Sequence, residues 1–193
     1  MSNTKNILLV GVGGQGTILT SKIISTAFLN AGKDVKMAEI HGMSQRGGSV
    51  TTQIRFGEKV YSPVIEKGTA DIIVAFEKSE ALRWFEYLKK DGILIVNDYQ
   101  IEPFTVSLGI SSYPIDVIEE YKAKFNNFHS IKANEEAEKL GNAKAMNIVL
   151  LGSLVKYLNL EEIDWKHVIA ETVPEKLVKL NQDAFEAGYR LVS

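Results

Sequence analysis

The run Ile7-Leu8-Leu9-Val10 is apolar, partly β-branched and cut off by Gly11-Val12-Gly13-Gly14-Gln15-Gly16, after which the apolar residues change period. A short continuous apolar run stopped by glycine reads as a strand buried on both faces. From Thr17 to Ala31 the residues Ile18, Leu19, Ile23, Ile24, Ala27, Phe28 and Ala31 recur at three-and-four spacing, and Gly32 closes the segment. That pattern predicts an amphipathic helix. A strand buried on both faces needs helices above and below it, so this opening points to an α/β fold.

Further along, Val35–Glu39 and the alternating, β-rich Val50-Thr51-Thr52-Gln53-Ile54-Arg55-Phe56 read as strands. Gly57-Glu58-Lys59 suits a turn into Val60-Tyr61-Ser62, which would make this stretch a local antiparallel hairpin. Ala70–Phe76 is a third buried run, followed by a helix over about Ser79–Lys90 and a strand at Ile93–Asn97. Thr105–Leu108 and Phe128–Ala133 read as short strands flanking a helix at Asp116–Lys124. Asn142 suits the N-cap of a helix reaching about Leu158, apolar nearly all round and so a core or interface helix. Helices over Trp165–Ala170 and, after Pro174, Glu175–Glu186 complete the chain. No repeat, linker or low-complexity tract divides it, so residues 1–193 read as one Rossmann-like domain with a mainly parallel sheet, helices on both faces and a local antiparallel hairpin.

Composition narrows the chemistry. Twenty-two basic against 24 acidic side chains leave a formal charge of −2, which gives no global field for nucleic acid or an anionic membrane. There is no cysteine, which excludes disulfides, a catalytic thiol, thiolate zinc and all-cysteine iron–sulfur ligation within this chain. Met1-Ser2-Asn3-Thr4-Lys5-Asn6 begins no apolar run long enough for a signal peptide or membrane span, so a cytoplasmic protein is expected.

Gly11, Gly13 and Gly16 have the G-x-G-x-x-G spacing between a strand and a helix, where glycines allow a tight turn and bring backbone amides to a phosphate. Glu39 follows Gly16 by roughly the 20 residues at which a ribose-binding acid sits in nicotinamide enzymes. One reading is therefore a NAD-dependent dehydrogenase; another is a non-enzymatic nucleotide- or CoA-binding module; a third is that the glycines only let the first helix pack closely on the sheet. Dinucleotide chemistry does not require the Gly13-Gly14-Gln15 sequence, and no histidine paired with a carboxylate suggests hydride transfer.

A second loop, His41-Gly42-Met43-Ser44-Gln45-Arg46-Gly47-Gly48, follows the second strand. Open α/β sheets bind ligands at the carboxyl ends of their strands, so both loops should meet there. Gln15, His41, Gln45 and Arg46 would offer donors, while Gly47 and Gly48 would form a backbone nest or admit a second chain. The alternative is a solvated turn, although a turn requires glycine and not His, Gln and Arg beside it.

Gly11–Gly16 together with His41–Val50 resembles the beta subunits of indolepyruvate:ferredoxin oxidoreductases, within the gamma-subunit family of pyruvate and 2-oxoacid:ferredoxin oxidoreductases. The resemblance continues through Tyr61–Ile65, Ala70-Asp71, Phe76-Glu77, Gly141–Asn147, Lys179–Asn181 and Ala187–Tyr189, with Lys122–Asn127 the least characteristic part. Position 44 is Ser where the family often has Ala, so its hydroxyl is given no catalytic role. The resemblance implies oxidative decarboxylation of an arylpyruvate to an acyl-CoA, with electrons passing to ferredoxin. It also implies a large alpha subunit carrying thiamine pyrophosphate (TPP) and 4Fe-4S clusters, CoA as co-substrate of the complex, and a small chain catalytically incomplete alone. Gly11, Gly13, Gly14, Gln15 and Gly16 are then the expected cofactor-facing residues, and His41, Gln45, Arg46, Gly47 and Gly48 the expected partner or anion contacts. No catalytic residue or metal ligand is assigned to this chain.

Overall fold

The computed structural model describes residues 4–42 and 47–192. The opening run extends to β1 (Lys5–Val12), and the glycine turn leads into α1 (Thr17–Asn30). The chain continues through β2 (Asp34–His41), β3 (Ser49–Gly57), β4 (Ala70–Ala75), α2 (Glu80–Trp84), β5 (Leu88–Asn97), α3 (Phe104–Ser107), α4 (Val117–Lys124), β6 (Phe128–Ile131), α5 (Ala133–Lys139), α6 (Met146–Tyr157), α7 (Trp165–Thr172) and α8 (Val178–Arg190). The strands form one sheet in the order β2-β3-β1-β4-β5-β6. Only β3 among them runs against the rest: it pairs antiparallel with β1 and β2, while β1, β4, β5 and β6 pair in parallel.

Burial on both faces explains the unbroken apolar strands. Along β1, Ile7 and Leu9 join a core with Ile23, Ile24 and Phe28 of α1, α6, and Trp165 and Phe185 of α7 and α8. Leu8 and Val10 point the other way, into a core with Ala81 of α2, Val117 and Tyr121 of α4, and Ile65. The apolar segment beginning at Ala145 is core: every residue from Met146 to Val155 is buried. α6 crosses α8 backbone to backbone, since a Cβ at Gly188 would lie 1.8 Å from the Val149 carbonyl oxygen.

Several local expectations need correction. The antiparallel hairpin exists but is β2–β3; Val60-Tyr61-Ser62 adds no strand. Side chains, not a ladder, hold that stretch: Asp34 Oδ2 accepts from Val60 N at 2.9 Å, and Arg55 Nη1 donates to the Ser62 and Val64 carbonyls at 3.0 and 3.1 Å. Pro63 also lacks the N–H a ladder needs. The expected helix at Ser79–Lys90 stops at Trp84, continues as a 3-10 turn to Tyr87, and gives way to β5, where Leu88 pairs with Ala70. Thr105–Leu108 is not a strand: α3 occupies Phe104–Ser107. The strand expected to Ala133 ends at Ile131, because Asn97 Oδ1 accepts from Ala133 N at 3.0 Å where α5, which was not anticipated, begins. Asn142 is a cap, accepting from Lys144 N at 3.0 Å, but of a 3-10 turn that leads into α6. The last helix likewise starts as a 3-10 turn and runs on to Arg190.

Candidate functional site

The connection after β1 returns toward β2, whereas that after β4 runs outward to β5, so the sheet changes direction between β1 and β4. In open α/β sheets the crevice at the carboxyl ends of such strands is where ligands bind. The glycine turn lies there. A cleft of about 560 Å³ opens on one side of it, lined by Gly13, Gly14, Thr17, Ile18, Lys22 and His41. A second, of about 300 Å³, runs along Gly13, Gly14, Tyr99, Ile101 and Lys144. A third, of about 290 Å³, lies between Gly14, Gly16, Lys144, Asn147 and Asn181. All three share Gly14, whose φ of 101° is glycine's territory and above which a Cβ would meet nothing within 4 Å.

The glycines of the motif do different jobs. A Cβ on Gly11 would lie 2.9 Å from both Gln15 Oε1 and Phe76 Cβ, and one on Gly16 would lie 2.5 Å from Asn147 Nδ2. These two let the turn close on Phe76, just past β4, and on Asn147 of α6, while Gly13 and Gly14 face the clefts. Gln15 is turned inward. Its Oε1 accepts from Val12 N at 2.7 Å and its Nε2 donates to the Phe76 carbonyl at 2.8 Å, with the residue 8% exposed. The carboxamide thus ties the turn to the end of β4, a part that periodicity could not reveal.

Asn97, at the end of β5, extends this network: its Nδ2 donates to the same Phe76 carbonyl at 3.0 Å and to Asn134 Oδ1 at 2.8 Å. One residue past Phe76, the fully buried Glu77 carboxylate accepts from Ser79 N at 2.8 Å, Ser79 Oγ at 2.6 Å, Glu80 N at 3.1 Å, Ile101 N at 3.3 Å and the Tyr113 hydroxyl. Burial, with Glu77 beside it, pushes the Tyr113 phenol well above its ordinary range, so it stays a donor. Glu80, 5% exposed, accepts from Ser49 Oγ at the start of β3 and from Arg83 Nε at 3.1 Å; burial pushes its carboxyl above the usual range despite both. Neither acid stands out as a site residue in the sequence, where Phe76-Glu77 is marked only by resemblance and a buried acid has no periodicity.

The two loops meet, as expected, but through the antiparallel strand. Because β3 lies beside β1, Gly11 pairs with Val50 and Val12 with Ser49, and Gly13 N donates to the Gly48 carbonyl at 2.8 Å. Gly47 N points back at Gly13 O at 3.5 Å, so Gly47 and Gly48 form the seam with the glycine turn. His41 is exposed on the rim of the large cleft. Gln45 and Arg46, with Met43 and Ser44, lie outside the described residues.

The same strand order takes Glu39 out of the place of a ribose-binding acid, which sits on the strand beside β1. Glu39 pairs with Thr52, which pairs with Leu9, so this acid is two strands from β1 and level with the strand's interior. At about 4.8 Å per strand it sits roughly 10 Å to the side. It accepts from Ser21 Oγ at 3.3 Å. Among the described residues no three His, Asp or Glu side chains converge as metal ligands would, and no helix is long and apolar enough to cross a membrane.

Comparison with known proteins agrees with this architecture. A family described as pyruvate ferredoxin/flavodoxin oxidoreductase matches residues 6–191. The indolepyruvate oxidoreductase subunit IorB of Thermococcus kodakarensis is 42% identical, over 96% of this chain and 94% of its own. In fold, the chain matches pyruvate oxidoreductase subunit PORC of Thermotoga maritima with a TM-score of 0.73 at 23% identity, over 97% and 96% of the two chains. It also matches the 2-oxoglutarate:ferredoxin oxidoreductase of Magnetococcus marinus, solved with 2-oxoglutarate, coenzyme A and succinyl-CoA bound, with a TM-score of 0.74 at 20% identity over 99% of this chain and 31% of that one. With a family match over almost its whole length and relatives this similar, the chain belongs to the pyruvate ferredoxin/flavodoxin oxidoreductase family, as a small subunit of the IorB type.

Proposed function

We propose that the chain is the small subunit of a cytoplasmic oxidoreductase that decarboxylates an arylpyruvate, indolepyruvate foremost, to the acyl-CoA and passes the electrons to ferredoxin. The observation that carries this reading is the 42% identity to an indolepyruvate oxidoreductase subunit over nearly the full length of both chains. The chemistry belongs to a large alpha subunit. With no cysteine, this chain cannot bind 4Fe-4S clusters through thiolates, and it has no Gly-Asp-Gly segment of the kind that holds thiamine pyrophosphate. TPP on the partner supplies the carbanion chemistry, and the clusters there carry single electrons.

This chain contributes a shaped edge. The clefts around Gly13 and Gly14 suit CoA: Lys22 and Lys144 stand on opposite sides of the turn, and the first-turn amides of α1 have no partners within the helix. Gly14 leaves the backbone open to a phosphate, and Ile18 offers an apolar wall. Gly47, Gly48, His41, Gln45 and Arg46 are read as the partner or anion contacts of the same edge. Co-expression with the large subunit should give a complex that reduces ferredoxin or viologen with arylpyruvates only when CoA is present. Equal activity of the large subunit without this chain, or reduction of NAD by the chain alone, would overturn the reading.

A further inference from the structure

Beyond α2 and β5, the segment Tyr99–Ile115 crosses the carboxyl edge of the sheet, and its composition is not that of a free surface. Glu102 alone in it is charged, yet Leu108, Ile110 and Ile115 are 55%, 72% and 80% exposed, with Tyr99 at 39%. Large apolar side chains exposed this often along one segment are a feature of interaction surfaces, and connections this long with little regular structure are commonly functional.

The segment is also held in shape. The buried Glu77 carboxylate accepts from Ile101 N near its start and from the Tyr113 hydroxyl near its end. Within it, the Thr105 carbonyl accepts from Ile110 N at 2.9 Å and Ser111 N at 3.2 Å, and the Ser111 hydroxyl donates to Thr105 Oγ1 at 3.0 Å. These hydrogen bonds fix the backbone of the segment, while Leu108, Ile110 and Ile115 stay exposed.

We infer that Tyr99–Ile115 is the surface on which the large subunit docks, with Glu77 as the residue that sets its shape. The inference rests on the subunit reading above and adds a contact region separate from the two glycine loops. The large subunit is the occupant the geometry favours, because Tyr99 and Ile101 also line a cleft with Gly13 and Gly14. A chain seated on the start of this segment therefore borders the cleft where a reacting group must come from another subunit. The segment has no Lys or Arg to attract a membrane or nucleic acid.

The test is co-purification of this chain with a tagged large subunit, using wild type, the double variant I110D/I115D, and Y61D as a control. Tyr61 is as exposed, at 88%, but follows the far end of β3. Thermal melts of each small chain alone verify folding, and hydrogen exchange of the wild-type chain is compared free and in complex. We expect wild type and Y61D to associate alike, I110D/I115D to bind at least tenfold more weakly with an unchanged melt, and residues 99–115 to gain protection in the complex. Undiminished association of I110D/I115D, or exchange in 99–115 that is the same free and bound, overturns the inference while the subunit reading stands. If wild type itself fails to associate, both fall. Loss in I110D/I115D of a homodimer, with the complex intact, would assign the surface to a second copy and also overturn it.

Discussion

Gln15→Ala tests whether the glutamine of the glycine motif is a ligand group or a structural tie. The substitution leaves Val12 N–H, which Gln15 Oε1 accepts at 2.7 Å, buried without its partner. An unpaired buried donor costs about 1–3 kcal/mol. The Phe76 carbonyl loses Gln15 Nε2 but keeps Asn97 Nδ2 at 3.0 Å, so that end adds less than about 1 kcal/mol. With the lost packing against Gly11 and Phe76, the sum is about 2–4 kcal/mol, a fall in Tm of about 5–15 °C for a chain of this size. Denaturation of the purified small chain, without ligand or partner, measures it. Gln15→Glu sharpens the test: a carboxylate can accept from Val12 N but would face the Phe76 carbonyl oxygen, so burial would raise its pKa in the folded state. The folded variant would then hold its proton more tightly than the unfolded chain, and its stability should fall as pH rises from about 4 toward 7. An unchanged melt for Gln15→Ala, together with weaker CoA binding by the complex, would refute the structural account and restore Gln15 as a ligand group.

Gly188→Ala places a methyl group 1.8 Å from the Val149 carbonyl oxygen and should cost at least about 3 kcal/mol, read as a lowered Tm with far-UV dichroism retained at low temperature. Lys22→Ala and Lys144→Ala should each raise the KM for CoA by about 3–10-fold in the assembled enzyme, with kcat nearly unchanged, as expected for exposed phosphate contacts. His129, tilted by 31° against Tyr157 with ring centroids 3.9 Å apart, has its pKa lowered by burial. Its neutral form is favoured in the folded chain, so that contribution is present above pH 6.5 and is lost as pH falls through the folded value; His129→Leu should flatten the stability profile there, followed by denaturation across pH.

Much of this protein is legible from residue order alone because it depends on local periodicity. The run Ile7–Val10, the glycine turn and the three-and-four repeat to Ala31 specify strand, turn and helix, and the apolar content of Met146–Val155 specifies a core helix. The absence of cysteine alone excludes thiolate-held clusters, and the two glycine loops carry the family resemblance. Which strands lie side by side was not legible. A local antiparallel element was readable, but the alternation of Val50–Phe56 suits a partner strand before it as well as one after it. Long-range contacts chose β1 and β2, and that choice carries Glu39 two strands away from the turn and seams Gly47 and Gly48 to Gly13. Gln15, read as a ligand donor from sequence, and Glu77 and Asn97, which carry no sequence signal of their role, belong to the same class: the edge where β1, β4 and β5 meet gives each a buried backbone partner. Sequence encodes periods and turns within a few residues, whereas hydrogen bonds across many residues exist only once the sheet has assembled.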